Sequence, residues 1–105
     1  MQFIYIVRAV RVEMVTKKPT PVEARVLDEH FAYLQELARR GTALLVGRTT
    51  NNDENTFGLC VLEAESEPAA RELMNKDPAV WQNVMTAELY PFRVALTANK
   101  FSGTR

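Results

Sequence analysis

Two residues of this chain carry side chains that can exchange a proton near neutral pH if the fold brings them together. His30 is the only histidine among the 105 residues, and Asp77 is followed directly by Pro78. Imidazole titrates near physiological pH, and a carboxylate that binds one ring nitrogen leaves the other to act as acid or base. The pair therefore indicates a candidate site for acid–base catalysis or for orienting a ligand.

Each of these residues also has a purely structural explanation. A single histidine on a helix can sit at the edge of the buried face with its hydrogen bonds satisfied. Asp77 precedes a proline, which disfavours helical geometry there and suits the residue to cap a helix beginning at Pro78, a role worth about 1 kcal/mol. Because a carboxylate has two oxygens, capping and pairing are compatible, and both interpretations of Asp77 stay open.

Arg48 is a third candidate, as a residue that binds a substrate carboxylate through two hydrogen bonds. It ends a short apolar strand, where an arginine needs no function beyond that of a surface charge. A metal site is not indicated, because one histidine and one cysteine within an apolar strand lack ligand spacing. The chain also has no glycine-rich phosphate loop, so the sequence predicts neither a metal nor a cofactor.

The composition argues against several classes of function. Thirteen basic and thirteen acidic residues cancel, and no basic stripe with interleaved aromatic residues is present, which disfavours nucleic-acid binding. No apolar segment approaches the roughly 20 residues of a membrane span. The single cysteine, Cys60, allows no internal disulfide, which is typical of a reducing cytoplasm. Its place in an apolar strand predicts an unreactive thiol.

Hydrophobic periodicity predicts strands and helices in one domain over residues 1–98. Thr20, Pro21 and Glu23 together are typical of a helix N-terminus, and Gly41 is typical of a left-handed C-terminal cap. The connection before this helix contains two prolines and is expected to lack regular structure. The predicted strands cover 2–12, 43–47, 56–64 and 86–96, the helices 21–40, 66–76 and 78–84, and a loose tail 99–105.

The long helix is expected to place His30 beside a cleft. Its buried stripe is predicted to consist of Leu27, Phe31, Leu34 and Ala38. At about 100° per residue, His30 falls at the edge of that stripe, from which its ring can reach a cleft between the helix and the sheet. Tyr5 and Trp81 are expected to pack in the core or an interface rather than to line a pocket.

The element order is strand, helix, strand, strand, helix, strand. This order indicates an α+β ferredoxin-like βαββαβ sandwich with both helices on one face of an antiparallel sheet. The first and third strands are apolar on both faces, so the face opposite the helices would expose a large apolar patch. The sequence therefore predicts a homodimer in which two sheets pack face to face.

Several motifs occur in an order that resembles the YCII-related (YciI-like) family of dimeric α+β barrel proteins. The run from His30 to Leu37 is followed by Gly41 and by residues 44–47, and later by residues 62–66, 69–71, 77–78 and 90–92. The resemblance covers most of the chain, from residue 3 to residue 94. Arg48 stands where family members often have proline, and Leu59 stands where they often have serine.

This resemblance implies a fold similar to that of muconolactone isomerases and a His–Asp pair in a cleft. By position the pair is His30 and Asp77, with the histidine as general acid–base and the aspartate fixing its tautomer. A related dehydrochlorinase acts on chlorinated muconate-type acids. Arg48 would add a cation near the rim of the cleft, whereas Leu59 lacks the hydroxyl that relatives have there.

Three functions are compatible with these observations. The first is a small cofactor-free enzyme, an isomerase or lyase of the muconolactone type, that uses the His–Asp pair on a small acidic or cyclic metabolite. The second is a module that binds or senses a small metabolite in the same cleft without turnover. The third is a domain whose dimer surface is its whole function. An open pocket beside a hydrogen-bonded pair favours the first two, and a filled core around His30 favours the third.

Overall fold

The protein forms one antiparallel sheet with its helices on one face. The computed structural model describes residues 1–99, so most of the predicted tail lies outside the described residues. The strand order is β2-β3-β1-β4, and all neighbouring strands are antiparallel, which confirms the ferredoxin-like βαββαβ fold. The elements are β1 Gln2–Ala9, α1 Glu13–Thr16, α2 Pro21–Arg39, β2 Ala43–Arg48, β3 Gly58–Glu63, α3 Glu67–Asn75, α4 Pro78–Trp81 and β4 Met85–Phe92.

The core lies between the helices and one face of the sheet, here called the inner face. Phe3, Tyr5 and Val7 of the central strand β1 point into it and are buried. Leu34 and Leu37 of α2 pack in the same cluster. The period of two along β1 thus determines which side chains meet the helices.

The ends of α2 follow the predicted capping chemistry. The hydroxyl of Thr20 accepts from the backbone N–H of Glu23 at 3.1 Å, and the Glu23 carboxylate accepts from the N–H of Thr20 at 2.9 Å. This reciprocal capping box satisfies two N–H groups at the start of the helix. At the other end Gly41 adopts φ 79°, a left-handed conformation that glycine reaches without steric cost.

The predicted buried stripe of α2 is partly wrong. Val26, Leu34 and Leu37 are buried, whereas Phe31 is 59% exposed and Ala38 is also exposed. The helix is rotated so that positions 26, 30 and 34, one turn apart, face the sheet. His30 therefore lies within the buried stripe rather than at its edge, and Phe31 borders a cavity instead of filling the core.

Other element boundaries also differ from the sequence predictions. β1 ends at Ala9, and the expected irregular connection contains the one-turn helix α1, which buries Met14. β3 begins at Gly58, β4 ends at Phe92, and α4 ends at Trp81. Asn83 follows α4 with φ 67°, a left-handed conformation that cannot continue a helix.

The short apolar strand β2 lies at the edge of the sheet and is mostly exposed. Only Ala43 of its six residues is buried, because β2 has a single neighbour, β3, and the cavity lies beneath its inner face. Leu45 is exposed on the opposite, outer face of the sheet. The edge position explains this exposure, because a side chain on an edge strand has a neighbouring strand, with its side chains, on one side only.

The outer face of the sheet is apolar and accessible. Tyr90 and Phe92 of β4 are exposed there, together with Leu45 of β2. Ile4 and Ile6 of β1 lie between them and are only half-buried. The two-sided apolar pattern of the strands is therefore present. Within residues 1–99, none of the helices has the length and apolar character needed to traverse a bilayer.

Candidate active site

The structure brings His30 and Asp77 into direct contact. The Nδ1 atom of His30 lies 2.7 Å from Oδ1 and 2.9 Å from Oδ2 of Asp77. Asp77 is 0% exposed, and the side chain of His30 is 14% exposed. The two side chains are therefore hydrogen-bonded, while the catalytic role of the pair stays a prediction.

Asp77 also caps α4, as its position before Pro78 suggests. Its backbone is extended, with φ −61° and ψ 123°, which is the region that a following proline favours. The Oδ1 atom accepts from the backbone N–H of Ala79 at 3.0 Å. Capping and pairing with His30 thus occur together on one carboxylate, as its two oxygens permit.

Tyr5 is the third member of this buried group. Its hydroxyl donates to Oδ2 of Asp77 at 2.8 Å, and both residues are buried. Burial raises the pKa of the Tyr5 phenol far above its ordinary value, and the neighbouring charge of Asp77 raises it further. Tyr5 therefore keeps its proton and stays a donor throughout the physiological pH range.

This network assigns the proton on His30. An ionised carboxylate only accepts hydrogen bonds, so Nδ1 is the nitrogen that carries hydrogen, and Nε2 of the neutral ring has a lone pair. Among residues 1–99 the Nε2 atom has no hydrogen-bond partner, and no side-chain polar atom in that range is both buried and unpartnered. The Nε2 atom is therefore not fully buried, and His30 lines the adjoining cavity.

A cavity of about 520 Å³ lies between α2 and the inner face of the sheet. This volume suits a small organic ligand. The buried residues Tyr5 and Cys60 line it together with His30, and Arg48 at the end of β2 and the nearby Asn52 line it as well. Most of its wall is apolar and is formed by Val7, Met14, Leu27, Phe31, Leu34 and Val46.

Comparison with known proteins identifies the family of this chain. The family model of the YCII-related domain matches residues 3–93. This chain belongs to the YCII-related family. The match spans nearly the whole described structure and confirms the resemblance inferred from the motifs around His30 and Asp77. No curated protein sequence matches this YCII-related chain.

Solved structures with the same fold include two enzymes. One is 5-chloro-2-hydroxyhydroquinone dehydrochlorinase from Burkholderia phenoliruptrix in complex with 2,5-dihydroxybenzoquinone, with a TM-score of 0.64, 21% identity, and coverage of 89% of this chain and 94% of the other. The second is muconolactone isomerase, with a TM-score of 0.66, 18% identity, and coverage of 92% and 94%. At these identities the likeness establishes the α+β fold of the chain alone.

Arg48 of this YCII-related protein lies at the end of β2, paired with Gly58. Its Nε atom donates to the carbonyl of Thr49 at 2.9 Å, and its Nη2 atom donates to Oδ1 of Asn52. These contacts hold the guanidinium at the cavity. Arg48 is thus one of the residues that line the cavity, and its role in binding substrate stays a prediction.

Cys60 borders the cavity but is not a suitable nucleophile. The residue is buried opposite Tyr5 in the sheet. Burial, reinforced by the charge of Asp77, raises the pKa of its thiol to about 12. Because the thiolate is the reactive form, the expected inertness of Cys60 agrees with this environment.

The groups needed to hold a metal are not assembled in the described part of the chain. No cluster of three or more His, Cys, Asp or Glu side chains suitable for a metal ion occurs among residues 1–99. Trp81 is exposed on α4 and contributes nothing to the cavity wall, so its expected burial in a core or interface is not observed within this chain.

The contact of Tyr5 with the His–Asp pair is not predicted by the sequence. The sequence favours apolar packing for Tyr5 and indicates no partner for its hydroxyl. One signal was available, because the alternation along β1 places Tyr5 with Phe3 and Val7 on the inner face. A buried tyrosine hydroxyl generally requires a hydrogen-bond partner, but the sequence alone does not specify which one.

Proposed function

We propose that this YCII-related protein is a small-molecule enzyme, an isomerase or a lyase, in which His30 transfers a proton by general acid–base catalysis. One observation carries this proposal: Nδ1 of His30 is held by the buried Asp77, while Nε2 of the same ring is open to a cavity of about 520 Å³. A histidine oriented in this way by a carboxylate is suited to act as a base.

The proposed reaction uses only side chains of this chain. The lone pair of Nε2 removes a proton from the bound ligand, and the imidazolium that forms is stabilised by the ionised Asp77. In an isomerase His30 returns the proton to a different atom of the same ligand. In a lyase the electrons left on the ligand form a double bond as a leaving group departs, and the proton passes to water.

The neighbours by fold support the two reaction classes. One is named as a dehydrochlorinase and the other as an isomerase. A dehydrochlorination removes a proton together with chloride, and an isomerisation of the proposed kind moves a proton between atoms. We therefore propose a small acidic or cyclic metabolite as the substrate.

An assay with the two named substrate types tests this function. Muconolactone, 5-chloro-2-hydroxyhydroquinone and related cyclic acids are incubated in D₂O, and both turnover and deuterium incorporation are followed. We expect His30→Gln to lower the rate by about 10²–10⁴-fold, the contribution typical of an acid–base group. A variant that retains the wild-type rate contradicts the role of His30.

The same experiment separates the enzyme from the alternative. A ligand that binds in the cavity but shows neither turnover nor exchange with D₂O assigns the protein to the second function, a binding or sensing module. Tyr33→Phe is a suitable control, because the Tyr33 hydroxyl donates to the carbonyl of Leu73 at 2.6 Å rather than to Asp77.

We also propose that the protein functions as a homodimer through the outer face of the sheet. Leu45, Tyr90 and Phe92 are exposed on this face, and a contiguous apolar surface of this kind is stabilised by burial against a partner. A second copy presents the same surface, so the two apolar faces can bury each other symmetrically. A cytoplasmic location, inferred from cysteine usage, stays a prediction.

A further inference from the structure

The side chain of Arg48 is placed on the cavity side of the sheet by the strand register. Arg48 pairs with Gly58, and Gly58 pairs in turn with Val7, whose side chain belongs to the inner face. Residues that are paired directly across a sheet point to the same side. Arg48 therefore projects toward the cavity rather than toward the outer face.

The Arg48 guanidinium is held in position but is not neutralised. Thr49 and Asn52 each accept one of its N–H groups, and the remaining N–H groups are left for another acceptor. Asn52 adopts φ 54°, a left-handed conformation that asparagine tolerates better than most residues. No carboxylate of residues 1–99 forms an ion pair with Arg48, whereas five of the other arginines in that range do.

Arg8 is the other arginine at the cavity, and its charge is already satisfied. Its Nη1 atom pairs with Oε1 of Glu88 at 2.9 Å. Its guanidinium carbon also lies 5.5 Å from the centroid of the Phe57 ring. Glu88 lies opposite Ile6 on the outer face of the sheet, so the charge of Arg8 is already paired there and is not free for a ligand.

The charges around the cavity are separated in space. No aspartate or glutamate is among the residues that line it. The carboxylate of Asp77 is buried behind the ring of His30. An anionic group on the ligand is therefore attracted to Arg48 and repelled from the end occupied by Asp77, where a neutral C–H or O–H group can face Nε2.

We infer that Arg48 forms an anion subsite, and that the ligand of this cavity is a monocarboxylic acid with an apolar, ring-sized body. The carboxylate binds the open edge of the guanidinium, and the body packs against Val46, Phe31 and Leu34. This inference rests on the proposed function for the use of the site, because it orients the ligand with its neutral end toward His30. A second carboxylate would face Asp77 and is disfavoured.

Binding measurements on the full chain test the subsite without requiring turnover. The probes are benzoate, phenylacetate and 3-phenylpropanoate, each compared with its neutral amide, and isophthalate serves as the dianion. We expect at least one acid to bind about tenfold or more tightly than its amide, the scale of a charge-assisted hydrogen bond. Isophthalate is expected to bind more weakly than benzoate.

Arg48→Gln is the decisive variant. It should remove the preference for the acid over the amide and leave the affinity for the amide unchanged. Arg40→Gln is the matched control, because Arg40 is exposed, forms no ion pair among residues 1–99, and does not line this cavity. Protein resonances from residues around the cavity, followed by NMR during the titration, identify the binding site.

Three results overturn the inference: no acid binds to the wild type, an amide binds as well as its acid, or Arg48→Gln keeps the preference for acids. A failure of the proposed function would give a different set of results from a failure of this inference. In that case the acids bind and depend on Arg48, but no cyclic acid is turned over or exchanges a proton in a manner that depends on His30.

Discussion

The hydroxyl of Tyr5 donates a hydrogen bond of 2.8 Å to Oδ2 of Asp77, across 72 positions of the sequence. Asp77 also accepts from Ala79 and contacts His30. Three donors on different elements thus converge on one buried carboxylate. This arrangement restricts rotation of the carboxylate and thereby fixes the plane in which the imidazole ring of His30 is held.

Replacing Tyr5 should change the environment of the His30 ring through Asp77, while His30 itself is left unaltered. Tyr5→Phe removes one donor from the buried carboxylate and is expected to lower the free energy of unfolding by about 1–3 kcal/mol. Asp77 then bears more charge toward His30, so the Nδ1–H proton resonance should move downfield. Because the carboxylate also loses a contact that fixes the plane of the His30 ring, any turnover should fall. Urea denaturation and proton NMR measure these two effects.

Tyr33→Phe separates a positioning role for Tyr5 from a structural one. It also removes a tyrosine hydroxyl with one hydrogen bond, to the carbonyl of Leu73. We expect it to reduce stability while leaving the Nδ1–H resonance and the turnover unchanged. Equal effects of the two variants on that resonance would contradict a specific role for Tyr5.

Two substitutions of Asp77 should distinguish its two contacts. Asparagine is a good N-cap residue, so Asp77→Asn keeps the bond to the N–H of Ala79, whereas Asp77→Ala loses about 1 kcal/mol of capping energy in addition. Both remove the charge that stabilises the His30 imidazolium, and both should therefore abolish acid–base activity. If Asp77→Asn retains wild-type turnover, Asp77 acts as a cap only.

Acid should weaken the link between α2 and the segment before it. Hydrogen bonds from Arg11 at 2.7 and 2.9 Å, followed by that from the backbone of Thr20, lower the pKa of Glu23 to about 2. The folded-state pKa is below the ordinary value, so this stabilisation is present above about pH 4.5 and is lost as the pH falls toward 2.

Glu23→Gln tests this pH dependence. Glutamine can still accept from the N–H of Thr20 within the capping box, but its side chain does not titrate. We expect the Tm of the wild type to fall more steeply between pH 4.5 and pH 2 than that of the variant. Parallel curves would show that the Arg11–Glu23 pair contributes nothing to acid stability.

Cys60 should resist thiol reagents in the folded state. Its thiol pKa of about 12 leaves little thiolate at pH 8, and the residue is buried. We expect 5,5′-dithiobis(2-nitrobenzoate) to react with the denatured protein quickly and with the native protein only as it unfolds. Rapid colour development without denaturant would show that the cavity gives reagents access to the sulfur.

The outer face of the sheet should support a dimer at micromolar concentration. Leu45→Asp and Tyr90→Asp each introduce a charge on this face and are expected to yield monomers in sedimentation velocity. Val22→Asp is the control, because Val22 is exposed on α2 rather than on the sheet. A wild-type monomer would remove the basis for the predicted interface.

The amino-acid sequence by itself determined the order of the main strands and helices and the ends of α2. These features depend on local chemistry: the capping box of Thr20 and Glu23, the left-handed conformation of Gly41, and the restriction that Pro78 places on Asp77. The same local patterns singled out His30 and Asp77 as a possible pair and identified the apolar faces of the strands.

Only the tertiary structure decided how those elements are rotated and which side chains contact each other. Whether Phe31 or His30 lies on the inner side of α2 depends on helix packing. A helix with several apolar positions can be rotated so that either residue faces the sheet. The exposure of β2 depends on its edge position, and the bond from Tyr5 to Asp77 joins residues on separate elements. Such long-range contacts leave no local signal, because they exist only once the sheet and helices have assembled.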